Sequence, residues 1–230
     1  MDTSRESRPA SRRGLSARVL GDVRTVWRLA QRARAARAHG DPLGGFRVGP
    51  GPPPLELRAR LRAYLNAAIS EAPLQRFLEQ NPLVLVRYLA GGTRWVIPGL
   101  RLGSRFTPDF VIGEQHASRS RWTLVELESP SVRLFTRSGD ATRALLHATS
   151  RIRGWRDWLH DHSRYAREHL NLAHVGGDAQ GVILIGRRAR LAPEDVQRQR
   201  QLETEHKVAI RTYDWLVDGA PETQTRPHGR

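Results

Sequence analysis

The chain contains no cysteine. That excludes disulfides, thiolate nucleophiles and cysteine-ligated zinc sites. Lysine is nearly missing too: Lys207 is the one lysine among 38 basic residues, and the others are arginines. No apolar run approaches the roughly 18 residues needed to span a bilayer. The N-terminal segment carries arginines but no uninterrupted apolar core of signal-peptide type. These absences lead us to expect a soluble, cytoplasmic protein with no membrane partner.

What is present is positive charge. The 230 residues carry a formal net charge of +15, with 27% charged and 39% hydrophobic residues. A chain this basic is drawn to polyanions, nucleic acid among them. Attraction of that kind carries no sequence information. The length suits one domain with its own core plus an extension.

The order of segments divides the chain. Residues 1–14 are rich in Arg, Ser and Pro and read as disordered. Residues 15–38 read as an Arg-rich helix with Val19, Leu20, Val23, Val26, Trp27 and Leu29 on one broad face. Residues 39–54 read as a Gly/Pro linker. The expected organisation is an N-terminal extension over 1–54, an α/β domain over 55–218 and a polar tail over 219–230.

Within the domain, helices are expected at Leu55 to Ser70 and Glu71 to Gln80. Asn81-Pro82 stops the second, because the residue before proline avoids the α region. Leu83 to Leu89 fits either a helix or a strand. Trp95 to Leu102 reads as a strand bent at Pro98-Gly99. Two further strands are expected around 106–113 and 121–128, close enough for a hairpin. Asp140 to His160 reads as a long helix, with Ala141, Leu145, Ala148, Ile152, Trp155 and Leu159 on its buried stripe. Residues 161–178 are ambiguous. Gly181 to Gly186 suits a strand covered on both faces. A helix over Pro193 to Glu205 and a strand over Val208 to Thr212 follow. Antiparallel strands first and a βαβ-like pattern afterwards make an α/β sandwich with a mixed sheet.

The chemistry gathers in the expected hairpin. Side chains of a strand alternate between two faces, so Glu126 and Glu128 point one way while Val125 and Leu127 point the other. If the strands pair, Asp109 sits beside the two glutamates. Carboxylates so placed repel one another unless a cation or shared protons hold them. That donor set suits a hard metal ion. Structural roles compete with this reading. Asp109 suits a turn after Pro108, Glu126 suits an ion pair with an arginine, and Glu71 suits a helix start. Trp155 and Trp158 read as packing residues, and His160, His162 and His169 as a solvated helix end. Arg187-Arg188 suits either a phosphate contact or an exposed strand end.

A helix carrying a carboxylate, then a hairpin with Pro108-Asp109 and Glu126-Leu127-Glu128, then a helix, resembles the plan of the PD-(D/E)xK nuclease superfamily. The closer resemblance is to the C-terminal domain of Shedu anti-phage proteins. It rests on Phe77-Leu78-Glu79-Gln80-Asn81-Pro82, Pro108-Asp109-Phe110 and Val125-Glu126-Leu127-Glu128-Ser129-Pro130. It continues through Gly154-Trp155-Arg156-Asp157-Trp158-Leu159, Ile185-Gly186-Arg187-Arg188 and Thr212-Tyr213-Asp214-Trp215-Leu216. The resemblance implies a three-layer sandwich, a central mixed β-sheet flanked by helices, preceded here by the Arg-rich helical extension. It implies Mg²⁺- or Mn²⁺-dependent cleavage of DNA phosphodiesters. Asp109, Glu126 and the backbone carbonyl of Leu127 look like metal ligands by position, with Glu71 completing the shell and Glu79 as the fallback. Asp109, Glu126 and Glu128 are then the catalytic candidates.

Glu128 departs from the pattern, standing where the superfamily has a lysine. Arg105, Arg133 and Arg143 are candidates for the missing cation and for contacts to DNA. Arg151, where relatives often carry glutamine, is a candidate contact to the scissile phosphate. The expected function is a metal-dependent DNA endonuclease of a bacterial anti-phage system. The alternative is a catalytically inactive, nuclease-derived DNA-binding or sensor module. The expected partners are DNA and further copies of the chain.

Overall fold

The computed structural model describes residues 41–67, 70–89 and 92–218. The expected helix over 15–38 and the tail from 219 onward lie outside the described residues. Strand β1 is Arg47–Val48, helix α1 is Leu55–Ala67 and helix α2 is Glu71–Gln80. Strands β2 (Arg94–Pro98), β3 (Phe110–His116) and β4 (Arg119–Leu127) follow, then helices α3 (Arg143–Asp161) and α4 (Ser163–His169). Strand β5 (Gln180–Leu184), helix α5 (Pro193–His206), strand β6 (Val208–Arg211) and helix α6 (Asp214–Asp218) complete the order.

The strands form one six-stranded sheet in sequential order, β1-β2-β3-β4-β5-β6. The first four pair antiparallel, and β4, β5 and β6 pair in parallel. The change happens at β4, the strand bearing Glu126. Because the parallel step β4 to β5 needs a crossover, the chain between them must carry a helix over the sheet. That helix is α3.

Alternation along the strands sorts the core into two layers. Trp95, Ile97, Val111, Trp122, Leu124 and Ile183 pack with Leu145, Ala148, Ile152, Trp155 and Leu159 of α3. Val96, Phe110, Ile112, Val125, Leu127 and Leu184 pack with Leu61 and Leu65 of α1 and with Leu74, Phe77 and Leu78 of α2. The expected sandwich of helix, mixed sheet and helix is therefore present. At roughly 25 cal/mol per Å² of apolar surface, these two faces supply most of what holds the domain together.

Glycine is required where the sheet is tightest. A Cβ on Gly113 of β3 would lie 2.6 Å from the Trp122 ring and 2.9 Å from the Trp95 ring. Those two indoles stack across it at 6.0 Å between centroids.

Several boundaries differ from the sequence reading. The stretch read as a linker enters the sheet: Arg47–Val48 pairs with β2, and Phe46 is buried in the core. Arg94 holds this edge through a guanidinium bond to the Gly49 carbonyl. The α/β unit thus begins ahead of the proline run, not at residue 55. The first expected strand ends at Pro98, because Gly99 turns the chain with φ +57°. Leu102 then makes only an isolated bridge with Phe106. The hairpin is longer than expected at its tip, with His116 paired to Arg119. Leu83 to Leu89 is neither long helix nor strand; it opens as a 3-10 turn at Pro82–Val84. The ambiguous stretch holds α4.

Candidate active site

The hairpin places Asp109 immediately before β3, whose first residue Phe110 pairs with Val125. Asp109 therefore stands next to the end of β4. Its Oδ2 accepts a hydrogen bond of 2.8 Å from the Leu127 backbone N–H. This fixes the carboxyl beside the strand that carries Glu126. Leu124 packs on the α3 side and Val125 on the other, so Glu126 and Glu128 face α3.

Glu126 is fully buried. It lies between β3 and β5, paired to Ile183 on the parallel side. One oxygen, Oε1, accepts a bond from the Arg151 guanidinium of α3. The other, Oε2, is buried with no hydrogen-bond partner among the described residues. A buried carboxyl oxygen left in that state is costly unless it is protonated or meets a cation. Burial, above all, pushes the Glu126 pKa from 4.5 up to about 10. The Asp109 charge adds to the rise, Arg151 opposes it, and Glu128 and the neighbouring Asp109 carboxyl raise it further. Physically, three carboxyls share one guanidinium, and the deficit of positive charge is met by a proton.

Glu128 follows the last residue of β4, and its backbone N–H donates to the Leu184 carbonyl at 2.8 Å. Its carboxyl lies 4.0 Å from His147 Nδ1 on α3. Its own carbonyl accepts a 2.8 Å bond from the Tyr213 hydroxyl. Tyr213 is buried, and its pKa is raised well above the usual value, first by burial and then by Glu71, Asp109, Glu128 and Glu126. All four predicted carboxylates thus act on one phenol. Glu71 reaches this neighbourhood as the first residue of α2.

Helix α3 supplies the positive side of the site. Arg143, His147 and Arg151 recur at four-residue spacing, which puts them on one face of the helix. His147 meets Glu128 and Arg151 meets Glu126. Arg151 also donates to the Thr107 carbonyl at 3.3 Å and stands 5.3 Å from the Trp155 ring centroid. The ion pair with an arginine is therefore present at Glu126, beside the Asp109 contact.

The other predicted contacts are scattered. Arg105 is exposed, with its guanidinium 5.3 Å from the Phe106 ring centroid. Arg133 and Arg143 are exposed at the two ends of the loop that leads into α3. Glu79 lies in α2, eight positions after Glu71. Leu127 enters through its amide. Arg187 is structural: it pairs with Asp214 at 3.0 Å and donates 2.8 Å to the Leu65 carbonyl. Among the described residues no three His, Asp or Glu side chains converge as a ready-made metal cage.

Sequence reasoning missed His147 and the contact of Tyr213 with the site. The spacing of His147 between Arg143 and Arg151 was a usable signal. Nothing local marks Tyr213 as a tyrosine whose hydroxyl reaches back to residue 128.

Residues 68–217 match the family model described as Shedu protein SduA, C-terminal. The match covers more than half of the chain and includes Asp109, Glu126 and Glu128. The chain belongs to this Shedu family. Membership implies a part in anti-phage defence. No curated protein matches the sequence significantly. The Shedu match starts just before α2 and ends inside α6, so β1 and α1 lie ahead of it. Among the described residues, no helix is long and apolar enough to cross a membrane.

Proposed function

We propose that this Shedu domain is a metal-dependent DNA endonuclease. The observation that carries the reading is Glu126: a carboxyl buried in the central strand, beside Asp109, with Oε2 lacking any hydrogen-bond partner. A purely structural glutamate at this place would have both oxygens satisfied. Hard oxygen donors of this kind fit Mg²⁺ or Mn²⁺, which keep several waters and need only a few protein ligands. Asp109, Glu126 and the Leu127 carbonyl would hold the ion, with Glu71 approaching from α2. When bound, the ion supplies Lewis acidity, activating water and neutralising charge on the phosphate.

The chain's own residues do the remaining work. The Leu127 amide holds Asp109 in place. Glu128, just past the end of β4, acts as a base toward the attacking water, with His147 Nδ1 4.0 Å from its carboxyl. Tyr213 fixes the backbone of Glu128. Arg105, Arg133 and Arg143 are exposed and available to phosphates. The test is cleavage of plasmid DNA by purified protein with Mg²⁺ or Mn²⁺. Cleavage should vanish with EDTA, with Glu126→Ala and with Asp109→Ala. Undiminished cutting by Glu126→Ala would sink the reading.

One observation favours a second reading. Arg151 already holds Oε1 of Glu126, and Glu128 stands where a lysine is expected. A module that binds DNA without cutting it accounts for both. It gives salt-sensitive DNA binding with no metal-dependent cleavage.

A further inference from the structure

We propose that Arg151 is a resident cation at Glu126 that competes with the divalent metal for the site. The inference rests on the metal reading above and concerns how the site is filled. The guanidinium bonds Oε1 of Glu126, the carboxyl that the metal would need. It is anchored there by two further contacts, the Thr107 carbonyl at 3.3 Å and the face of Trp155 at 5.3 Å. Thr107 lies two residues before Asp109, so Arg151 is held against the segment that carries Asp109 as well as against Glu126. An arginine at hydrogen-bond distance carries its charge at all ordinary pH values and cannot step aside by losing a proton. It leaves only by moving.

Movement is open to it. The Arg151 side chain is 31% exposed, while Glu126 has no exposure at all. The helix presents the guanidinium from the solvent side, and the strand presents the carboxyl from beneath. The resting site therefore holds a cation supplied by the protein, and metal enters only as Arg151 is displaced outward. An opposite charge at this range shifts a carboxyl's affinity for a proton by one to three pKa units, about 10- to 1,000-fold. A divalent ion competing for the same oxygens feels at least the lower end of that range.

The experiment measures Mn²⁺ affinity of the full chain by the electron paramagnetic resonance signal of unbound Mn²⁺, without DNA. Arg151→Gln removes the charge and keeps a polar side chain; Arg151→Lys keeps a charge at the same position. Circular dichroism establishes that both are folded. We expect Arg151→Gln to bind Mn²⁺ about tenfold or more tightly than wild type, and Arg151→Lys to stay near wild type. Loss of binding in Asp109→Ala/Arg151→Gln ties the gain to this site. Equal affinities for wild type and Arg151→Gln overturn the competition and leave the metal reading standing. Absence of Mn²⁺ binding in wild type and both variants overturns the competition and the metal reading together.

Discussion

Replacing Glu126 by glutamine should stabilise the metal-free protein at neutral and alkaline pH. Burial, helped by Asp109 and Glu128 and opposed by Arg151, lifts the Glu126 pKa from 4.5 to about 10. The folded protein then keeps this proton at pH 7, while the unfolded chain gives it up. The unfolded state binds fewer protons, so stability falls as pH rises. The contribution is whole below about pH 4.5 and is eroded from there toward pH 10. Each pH unit inside that window costs about 1.4 kcal/mol, so the loss between pH 5 and pH 8 is about 4 kcal/mol.

An amide at 126 carries no proton to lose. Its oxygen can still accept from Arg151, and its nitrogen can donate to Asp109. Urea denaturation in EDTA at pH 5, 6.5 and 8, with equal m-values, measures the effect. Other titrating groups cancel in the difference between variant and wild type. That difference should grow in favour of Glu126→Gln by about 4 kcal/mol from pH 5 to pH 8. A difference constant to within about 0.5 kcal/mol would refute the reasoning. So would a difference that turns against the variant at high pH. Either result would mean that Glu126 is ionised and that its pairing with Arg151 outweighs burial.

Three further outcomes follow from particular contacts. Tyr213→Phe removes the hydroxyl that donates to the Glu128 carbonyl at 2.8 Å and should cost about 1–2 kcal/mol in thermal or urea unfolding. Gly113→Ala forces a methyl to within 2.6 Å of the Trp122 ring and should destabilise by about 1–3 kcal/mol, with a changed near-ultraviolet circular dichroism spectrum from the paired indoles. Burial raises the Asp214 pKa, but hydrogen bonds from Arg187 and from the Arg188 amide, with both charges, outweigh it and leave the pKa lowered. That stabilisation is present above the usual aspartate range and is lost as pH falls through it, so acid unfolding of Asp214→Asn should show a shallower pH dependence than wild type.

The sheet was legible because its strands alternate against two apolar layers. Val125 and Leu127 face one layer, Leu124 and Glu126 the other, and the carboxyl stood out as the polar member of an apolar set. The long helix α3 was legible for the same reason, its stripe from Leu145 to Leu159 recurring at helical spacing. The edge strand Arg47–Val48 was not. Two residues are too few to show alternation, and the flanking glycines and prolines read as linker. What keeps them in the sheet is tertiary: pairing with β2 and the Arg94 bond to Gly49. Arg187 was equally opaque, because its partners Asp214 and Leu65 lie far away in sequence.

Arg151 shows why a site can be legible residue by residue and still be read incompletely. Sequence placed it on the helix that crosses the sheet and offered it to a phosphate; the fold turns it onto Glu126. The same helix brings His147 to Glu128. These two contacts belong together. A glutamate at position 128 adds a negative charge on the α3 face of β4, directly beyond Glu126. Asp109 and Glu128 both raise the cost of ionising Glu126, so the patch does not ionise fully without help. Helix α3 answers from the opposite side with Arg151 at Glu126 and His147 near Glu128, spaced to lie along one face. The cation nearest Glu126 thus comes from across the layer rather than from the strand. Under the metal reading proposed above this matters, because the Arg151 guanidinium covers the Glu126 oxygen that the ion would take.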